Sequence, residues 1–270
     1  TLADPAKVRF VALTAATRFT ALQSGEVDVL LRNSTETYLR DASIGLNALP
    51  ANFYDGQGFV VKKESGLKSV TELNGATVCM AQGTTHEQNA SEYFSSRGMK
   101  LQPVIMENQD ALYQAFFAGR CDALSQDSSA LAVAIGVVSG NPADFVVLPE
   151  RISKEPLGPY VRQGDETWGK IVRWTFSVMV EAEELGVTQA KVDELAKSGT
   201  VGQKRLVGAG DDMGKPLGLD PKWSANVIRA VGNYGESFER NVGQGSPLKL
   251  TRGLNELWSA GGLMYAVPFR

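Results

Sequence analysis

The sequence predicts an α/β protein of two similar lobes. Apolar runs of strand length alternate with helical stretches, and one segment pattern occurs twice. The first copy is ALQSGEVDVLLRNST, residues 21–35, and the second is AFFAGRCDALSQDSS, residues 115–129. Each reads as a helix end, a glycine stop, a short apolar strand with an Asp near its start, and an abrupt polar run. Gly25 and Gly119 supply the left-handed residue that ends a helix. The polar runs 32–35 and 125–129 then fall at the carboxyl ends of strands, where open α/β sheets bind ligands. Two such units imply two lobes facing one another across a cleft.

In chain order, a strand is expected over 8–13, a helix over 16–24 and a strand over 27–31. Asn33-Ser34-Thr35-Glu36 is a helix-start signature ahead of Tyr38, Leu39 and Arg40. Residues 59–61 read as a strand and 70–75 as a short helix and turn. Then come a strand over 77–80, a loop over 81–85, a helix over 86–97, a strand over 103–106, a helix over 108–118 and a strand over 122–124. Further strands are expected over 145–148 and 158–162. A long helix over 167–185 carries Trp168, Ile171, Trp174 and Val178 at helical spacing, which reads as core. Beyond Gly199 the chain is glycine-rich, with short helical stretches around 225–231 and 254–258. Strands alternating with helices indicate parallel sheets.

A chain of 270 residues is one large or two small domains, and 43% apolar content suffices for a core. Its 27 Lys and Arg are dispersed and the net charge is −3, which argues against a nucleic-acid partner. No stretch approaches the ~20 apolar residues of a membrane helix. No secretory signal is present, so an exported protein would be in mature or trimmed form. Cys79 and Cys121 lie in different expected strands of one lobe. Their spacing leaves a disulfide and two buried free thiols equally open. Two Cys with one His are too few for a structural zinc site, and no phosphate loop or Gly-x-Ser-x-Gly elbow occurs. No metal or cofactor is expected.

Three elements point to chemistry. Gln82-Gly83-Thr84-Thr85 follows a strand and opens a helix, where backbone N–H groups and hydroxyls favour an anion. By itself Thr85 reads equally as a plain N-cap. Arg40 offers a guanidinium suited to bidentate grip on a carboxylate, though alone it reads as a surface arginine. Asp127 sits at a strand end and suits an ammonium, though alone it reads as a helix cap. Together they describe a receptor for a zwitterion, with Arg40, Thr35 and Thr85 on the carboxylate and Asp127 on the ammonium. Tyr54-Asp55-Gly56-Gln57-Gly58 places Gln57 at the cleft or forms a plain turn. His86, the single histidine, faces the ligand side chain or is a solvated first-turn residue.

The segments TAATRFTALQSGEVDVL, RNSTETYLRD, NFYDGQGFVV, LNGATVCMAQGTTHE, AGRCDALSQD and GLNELWSAGGLMYAVPFR carry a resemblance. Over essentially its whole length the chain resembles periplasmic substrate-binding proteins of polar and general L-amino acid ABC transporters. The resemblance implies a two-lobed type II periplasmic-binding-protein clamshell, each lobe a parallel-type sheet flanked by helices. It implies that the protein captures polar or broad-range L-amino acids, or a small peptide, and delivers them to an inner-membrane permease, with no covalent chemistry. It implies Thr35, Arg40 and Thr85 on the ligand carboxylate, Asp127 on the ammonium and Asn33 beside it through its carbonyl, and it favours a Cys79–Cys121 disulfide. The expected division is 1–58 in lobe one, 59–151 in lobe two, 152–199 back in lobe one and 200–270 as a helical extension. Crossovers are expected near 58–62 and 150–157. Relative to the family, roughly fifty residues are expected ahead of Thr1. Lobe one then lacks its usual first strand and helix, and its exposed edge leaves a dimer open. Two alternatives stand beside this reading. One is a cyclohexadienyl or arogenate dehydratase-like enzyme using Glu36 or Glu87 as general acid. The other is an amino-acid sensor module.

Overall fold

The computed structural model describes residues 4–270. Among these the strands are β1 (Leu46–Ala48), β2 (Phe53–Asp55), β3 (Gln57–Lys62), β4 (Thr77–Ala81), β5 (Gln102–Met106), β6 (Ala123–Asp127), β7 (Phe145–Val147), β8 (Glu155–Leu157) and β9 (Tyr160–Arg162). The α-helices are α1 (Arg18–Ser24), α2 (Tyr38–Ser43), α3 (His86–Ser95), α4 (Gln109–Phe117), α5 (Ser128–Val133), α6 (Glu166–Glu184), α7 (Val192–Ser198), α8 (Val201–Leu206), α9 (Trp223–Val231) and α10 (Tyr234–Asn241). They fall into two compact units. Unit one holds residues 4–11, Leu39–Asn52 and Pro159–Arg270; unit two holds Ala12–Tyr38 and Phe53–Gly158.

Unit two is built on a five-stranded sheet of order β5-β4-β6-β3-β7. The crossover helices α3 and α4 connect β4, β5 and β6, which are therefore parallel. No such helix leads into β3, and it runs antiparallel to both β6 and β7. The sheet is thus mixed, where a parallel type was expected. Its strands are apolar on both faces because both are covered. Val60, Cys79, Ala81 and Leu124 meet Leu112 and Phe116 of α4 on one side. Phe59, Val61, Val78, Met80 and Ala123 meet Ala90 and Phe94 of α3 on the other. The period of two decides which residue goes to which helix. Asn108 starts α4 by accepting from the Ala111 N–H at 2.9 Å.

Cys79 of β4 is joined to Cys121, just ahead of the neighbouring β6, with Cα atoms 5.7 Å apart. The cross-link spans 42 residues of sequence. Removing that loop freedom from the unfolded chain stabilises the fold by about 4 kcal/mol in the chain-entropy account.

A second, two-stranded piece of unit two pairs β2 with β8, placing Asp55 opposite Glu155. Residues 34–36 lie along its free edge. Thr35 bridges to Leu157, the Glu36 N–H donates to the Pro156 carbonyl at 2.9 Å, and the Gly158 N–H donates to the Ser34 carbonyl at 3.2 Å.

The duplicated pattern holds at its helix ends, where Gly25 and Gly119 have φ of 82° and 78°. It fails at the first strand. Neither 8–13 nor 27–31 forms a strand. A strand needs a ladder, and among the described residues these segments carry only an isolated bridge residue, Leu30; Phe10 is 94% exposed and Leu31 is exposed too.

Among the described residues the sheet of unit one is the β1–β9 antiparallel pair. Its core is helical instead. Val178 and Ala182 of α6 pack with Leu206, Trp223, Ile228 and Phe269. Residues 200–270, anticipated as an extension, therefore supply much of this core. Phe269 stands edge-on to Trp223, with ring centres 5.8 Å apart. Capping boxes at Thr200/Gln203 and Asn233/Glu236 start α8 and α10. The helix expected around 254–258 is two separate 3-10 turns, Gly253–Asn255 and Trp258–Ala260. Among the described residues no helix is long and apolar enough to cross a membrane.

Replacing both cysteines by alanine is expected to lower the free energy of unfolding by about 3–4 kcal/mol. Equilibrium urea denaturation of the oxidised protein and the double variant checks this.

Candidate ligand-binding site

The register of unit two brings its polar residues to one edge. Gln57 opens β3 directly opposite Asp127, which closes β6. β4 runs parallel to β6 and ends at Ala81, so the 82–85 loop and the start of α3 emerge at the same edge. Gly83 has φ of 74°, and a Cβ there would fall 2.8 Å from the Ala16 Cα. Only glycine permits this backbone-on-backbone approach.

At this edge the side chains close into a ring. Asn33 Nδ2 donates to Asp127 Oδ2 at 2.7 Å, and His86 Nε2 meets Asp127 Oδ1 at 3.1 Å. Thr85, next to His86, donates from Oγ1 to Glu155 Oε2 at 3.0 Å. The same oxygen accepts from the Thr35 hydroxyl, two residues along from Asn33. The ring thus runs Asn33, Asp127, His86, Thr85, Glu155, Thr35 and back to Asn33. Five of these six were anticipated from sequence.

Glu155 was not anticipated. It is 1% exposed. Its second oxygen, Oε1, accepts from Asn89 Nδ2 at 2.7 Å and from Ser153 Oγ at 2.5 Å. Four donors therefore serve one buried carboxylate, which is how a charge persists away from water. Within β8 Glu155 and Leu157 flank Pro156 and are both buried.

Gln57 attaches to the ring through His86. Its Nε2 donates to the His86 carbonyl at 3.0 Å and to Ser125 Oγ at 2.8 Å. Turning the amide over would set its oxygen against that carbonyl, so the orientation is fixed. Gln57 Oε1 and His86 Nδ1 are both buried and have no hydrogen-bond partner. Nε2 of His86 thus faces Asp127, and Nδ1 points away from it.

Around the ring lie further charges. Arg18 is buried, with Nε on Ser34 Oγ at 3.0 Å and Nη1 on the Ala15 carbonyl. Arg32 donates to the Leu13 carbonyl at 2.6 Å. Burial draws the Arg32 pKa down, partly opposed by Asp127. The Asp55 carboxylate accepts from the N–H groups of Gly56, Ser128 and Ser129 at 2.8, 3.1 and 3.0 Å, holding the start of α5. Burial pushes the Asp55 pKa up, opposed by these bonds. Arg40, the remaining anticipated contact, lies on α2 in unit one and is half-buried. Among the described residues no group of three His, Cys, Asp or Glu side chains could hold a metal ion.

A mixed five-stranded α/β unit with acceptor-rich loops at one sheet edge defines a binding protein of the type II periplasmic class, and comparison with known proteins agrees. Residues 3–192 match the family of bacterial extracellular solute-binding proteins, family 3. The chain is 51% identical over 269 residues to the general L-amino acid-binding periplasmic protein AapJ of Rhizobium johnstonii, covering 99% of this chain and 79% of that one. It is also 51% identical over 270 residues to the glutamate/glutamine/aspartate/asparagine-binding protein BztA of Rhodobacter capsulatus, covering 100% and 80%. A solved ABC transporter/periplasmic binding protein from Brucella ovis with glutathione bound superposes with a TM-score of 0.96 at 50% identity, covering 99% of this chain and 84% of that one. The chain belongs to solute-binding protein family 3.

Because its pKa is raised on folding, Asp55 contributes stability below the ordinary aspartate range, and loses it as pH rises through the raised value. The stability of the protein relative to Asp55→Asn is expected to fall from acid to neutral pH. Urea unfolding of both proteins across that range reads this directly; a constant difference would contradict it.

Proposed function

We propose that this protein captures free L-amino acids, polar or broad in range, in the periplasm and delivers them to an ABC permease in the inner membrane. The observation that carries the reading is Asp127: a carboxylate 2% exposed, at a strand end, inside a closed ring of polar side chains. A buried carboxylate draws a cation, and the ammonium of an amino acid is one. Arg40 grips the ligand carboxylate as a bidentate guanidinium. Asn33, Thr35, Gln57, Thr85 and His86 line the remainder. The names of AapJ and BztA support amino acids as the ligand class. The disulfide suits the oxidising compartment this role requires. The glutathione in the Brucella ovis structure favours a second reading, in which a small peptide takes the same site.

Isothermal titration calorimetry against the twenty L-amino acids and glutathione tests both. Micromolar or tighter binding of at least one polar amino acid is expected. Asp127→Asn and Arg40→Ala are each expected to weaken it by about 30-fold or more, the effect of removing one side of a desolvated charge pair. Glutathione alone giving heat selects the second reading. Silence across the panel from a folded sample overturns both.

A further inference from the structure

We propose that Asp55 is a positioning residue for the ligand ammonium: it caps helix α5 in place of Asp127, and so leaves the Asp127 carboxylate free to face the ring. The inference rests on the amino-acid reading of the site and goes further by naming the residue that keeps Asp127 in its working orientation.

Two uses compete for the Asp127 side chain. The residue closes β6 and also stands at the N-cap position of α5. An aspartate at that position ordinarily accepts from the N–H of the second or third helical residue. Asp127 makes no such capping bond. Both its oxygens lie on the ring instead, Oδ2 on Asn33 at 2.7 Å and Oδ1 on His86 at 3.1 Å. The capping is done from another strand. Asp55 of β2 accepts from the Ser128 N–H at 3.1 Å through Oδ1 and from the Ser129 N–H at 3.0 Å through Oδ2. Ser129 is the second residue of α5, the donor that an N-cap aspartate would otherwise take.

Packing fixes where Asp55 stands. Position 56 runs so close to residues 151–153 that a Cβ there would fall 2.9 Å from the Ser153 carbonyl oxygen. Any side chain would force the two segments apart. The Gly56 carbonyl accepts from both the N–H and the hydroxyl of Ser128, at 3.0 and 2.7 Å. Residues 55 and 56 are thereby fastened to the first turn of α5, while the pairing of β2 with β8 holds Asp55 from the other side. Without the Asp55 carboxylate, the Ser129 N–H becomes an orphan helix donor in need of an acceptor. Asp127 is the residue whose position in the chain suits it to supply one. A carboxylate turned to the helix is withdrawn from Asn33, from His86 and from the charge-assisted bond to a ligand ammonium.

Calorimetric titration of the whole chain with L-glutamate, L-glutamine, L-aspartate and L-asparagine tests this. Asp55→Ala is expected to weaken every ligand that binds by about tenfold, and equally, because the α-ammonium is common to them. Asp55→Asn removes the charge but keeps an oxygen acceptor for the helix, and is expected to stay within about threefold of the unmodified protein. In an Asp127→Asn background, Asp55→Ala is expected to weaken binding by less than about twofold more, since its effect runs through Asp127. The single histidine supplies a readout that needs no ligand. In folded Asp55→Ala the imidazole NMR resonances of His86 are expected to move as Asp127 turns toward α5, and in Asp55→Asn to stay. Equal losses in Asp55→Ala and Asp55→Asn would overturn the inference in favour of a direct pull of the Asp55 charge on the ammonium. Full additivity with Asp127→Asn, or unmoved His86 resonances in Asp55→Ala, would overturn it too, and each of these leaves amino-acid capture intact. Should Asp55→Ala not fold, Asp55→Val, equally without an acceptor and suited to a strand, replaces it in each comparison. A larger than threefold loss in Asp55→Asn decides against the inference whichever of them folds. No L-amino acid binding to the folded, unmodified protein overturns the parent reading, and this one with it.

Discussion

The carboxylate of Glu155 is the constraint on which the polar edge of unit two depends. It takes hydrogen bonds from Thr35, Thr85, Asn89 and Ser153, which come from an irregular segment, a strand–helix loop, the body of α3 and the approach to β8. Taking one partner from such a charge leaves the others to carry it, at a cost of several kcal/mol in typical buried pairs. The strength of any one bond matters less here than the expense of leaving the charge unmatched. That expense fixes where the two threonines stand.

Beneath this edge the sheet is stiff for ordinary reasons. Both faces are covered, both crossover helices bury their apolar sides, and β4 is stapled to the start of β6 by Cys79–Cys121. The two strands that carry the ring's loops are thereby held in register from below. Placing polar residues at the ends of rigid strands is how a scaffold gives precision to loops that have little of their own. Unit one solves the same problem without a sheet of any size, using helix packing around Trp223 and Phe269 and an Arg252 to Glu183 ion pair that is largely buried.

Much of this was legible in the residues. Asp127 and the 82–85 loop were found because an apolar run that turns abruptly polar marks a strand end, and β4 and β6 are apolar runs of that kind. Gln57 was ambiguous between a cleft position and a plain turn, and it opens β3 opposite Asp127. Glu155 was invisible for a physical reason. Residues 150–157 read as a crossover, and nothing local says that a donor from 120 residues away will meet its glutamate. The segments 8–13 and 27–31 failed in the opposite sense. Their β propensity is real, but a strand is a property of two segments, and among the described residues they carry an isolated bridge residue, Leu30, and no ladder. The glycines beyond Gly199 mark turns between short helices, and those helices contribute to the core of unit one.

Gly83 has a consequence of a different kind. The backbone of Ala16 rests almost directly on the backbone at position 83, with no side chain between them. That contact acts as a gauge of zero thickness, setting the spacing between the loop ahead of α1 and the loop ahead of α3. Inserting even a single methyl would shift one loop relative to the other, and with it the span between the segment bearing Asn33 and Thr35 and the segment bearing Thr85 and His86. A substitution there would alter the geometry of the ring while every side chain in it remained the same. Divergence in binding among relatives could therefore be sought in the separation of loops as well as in the identity of the side chains they carry.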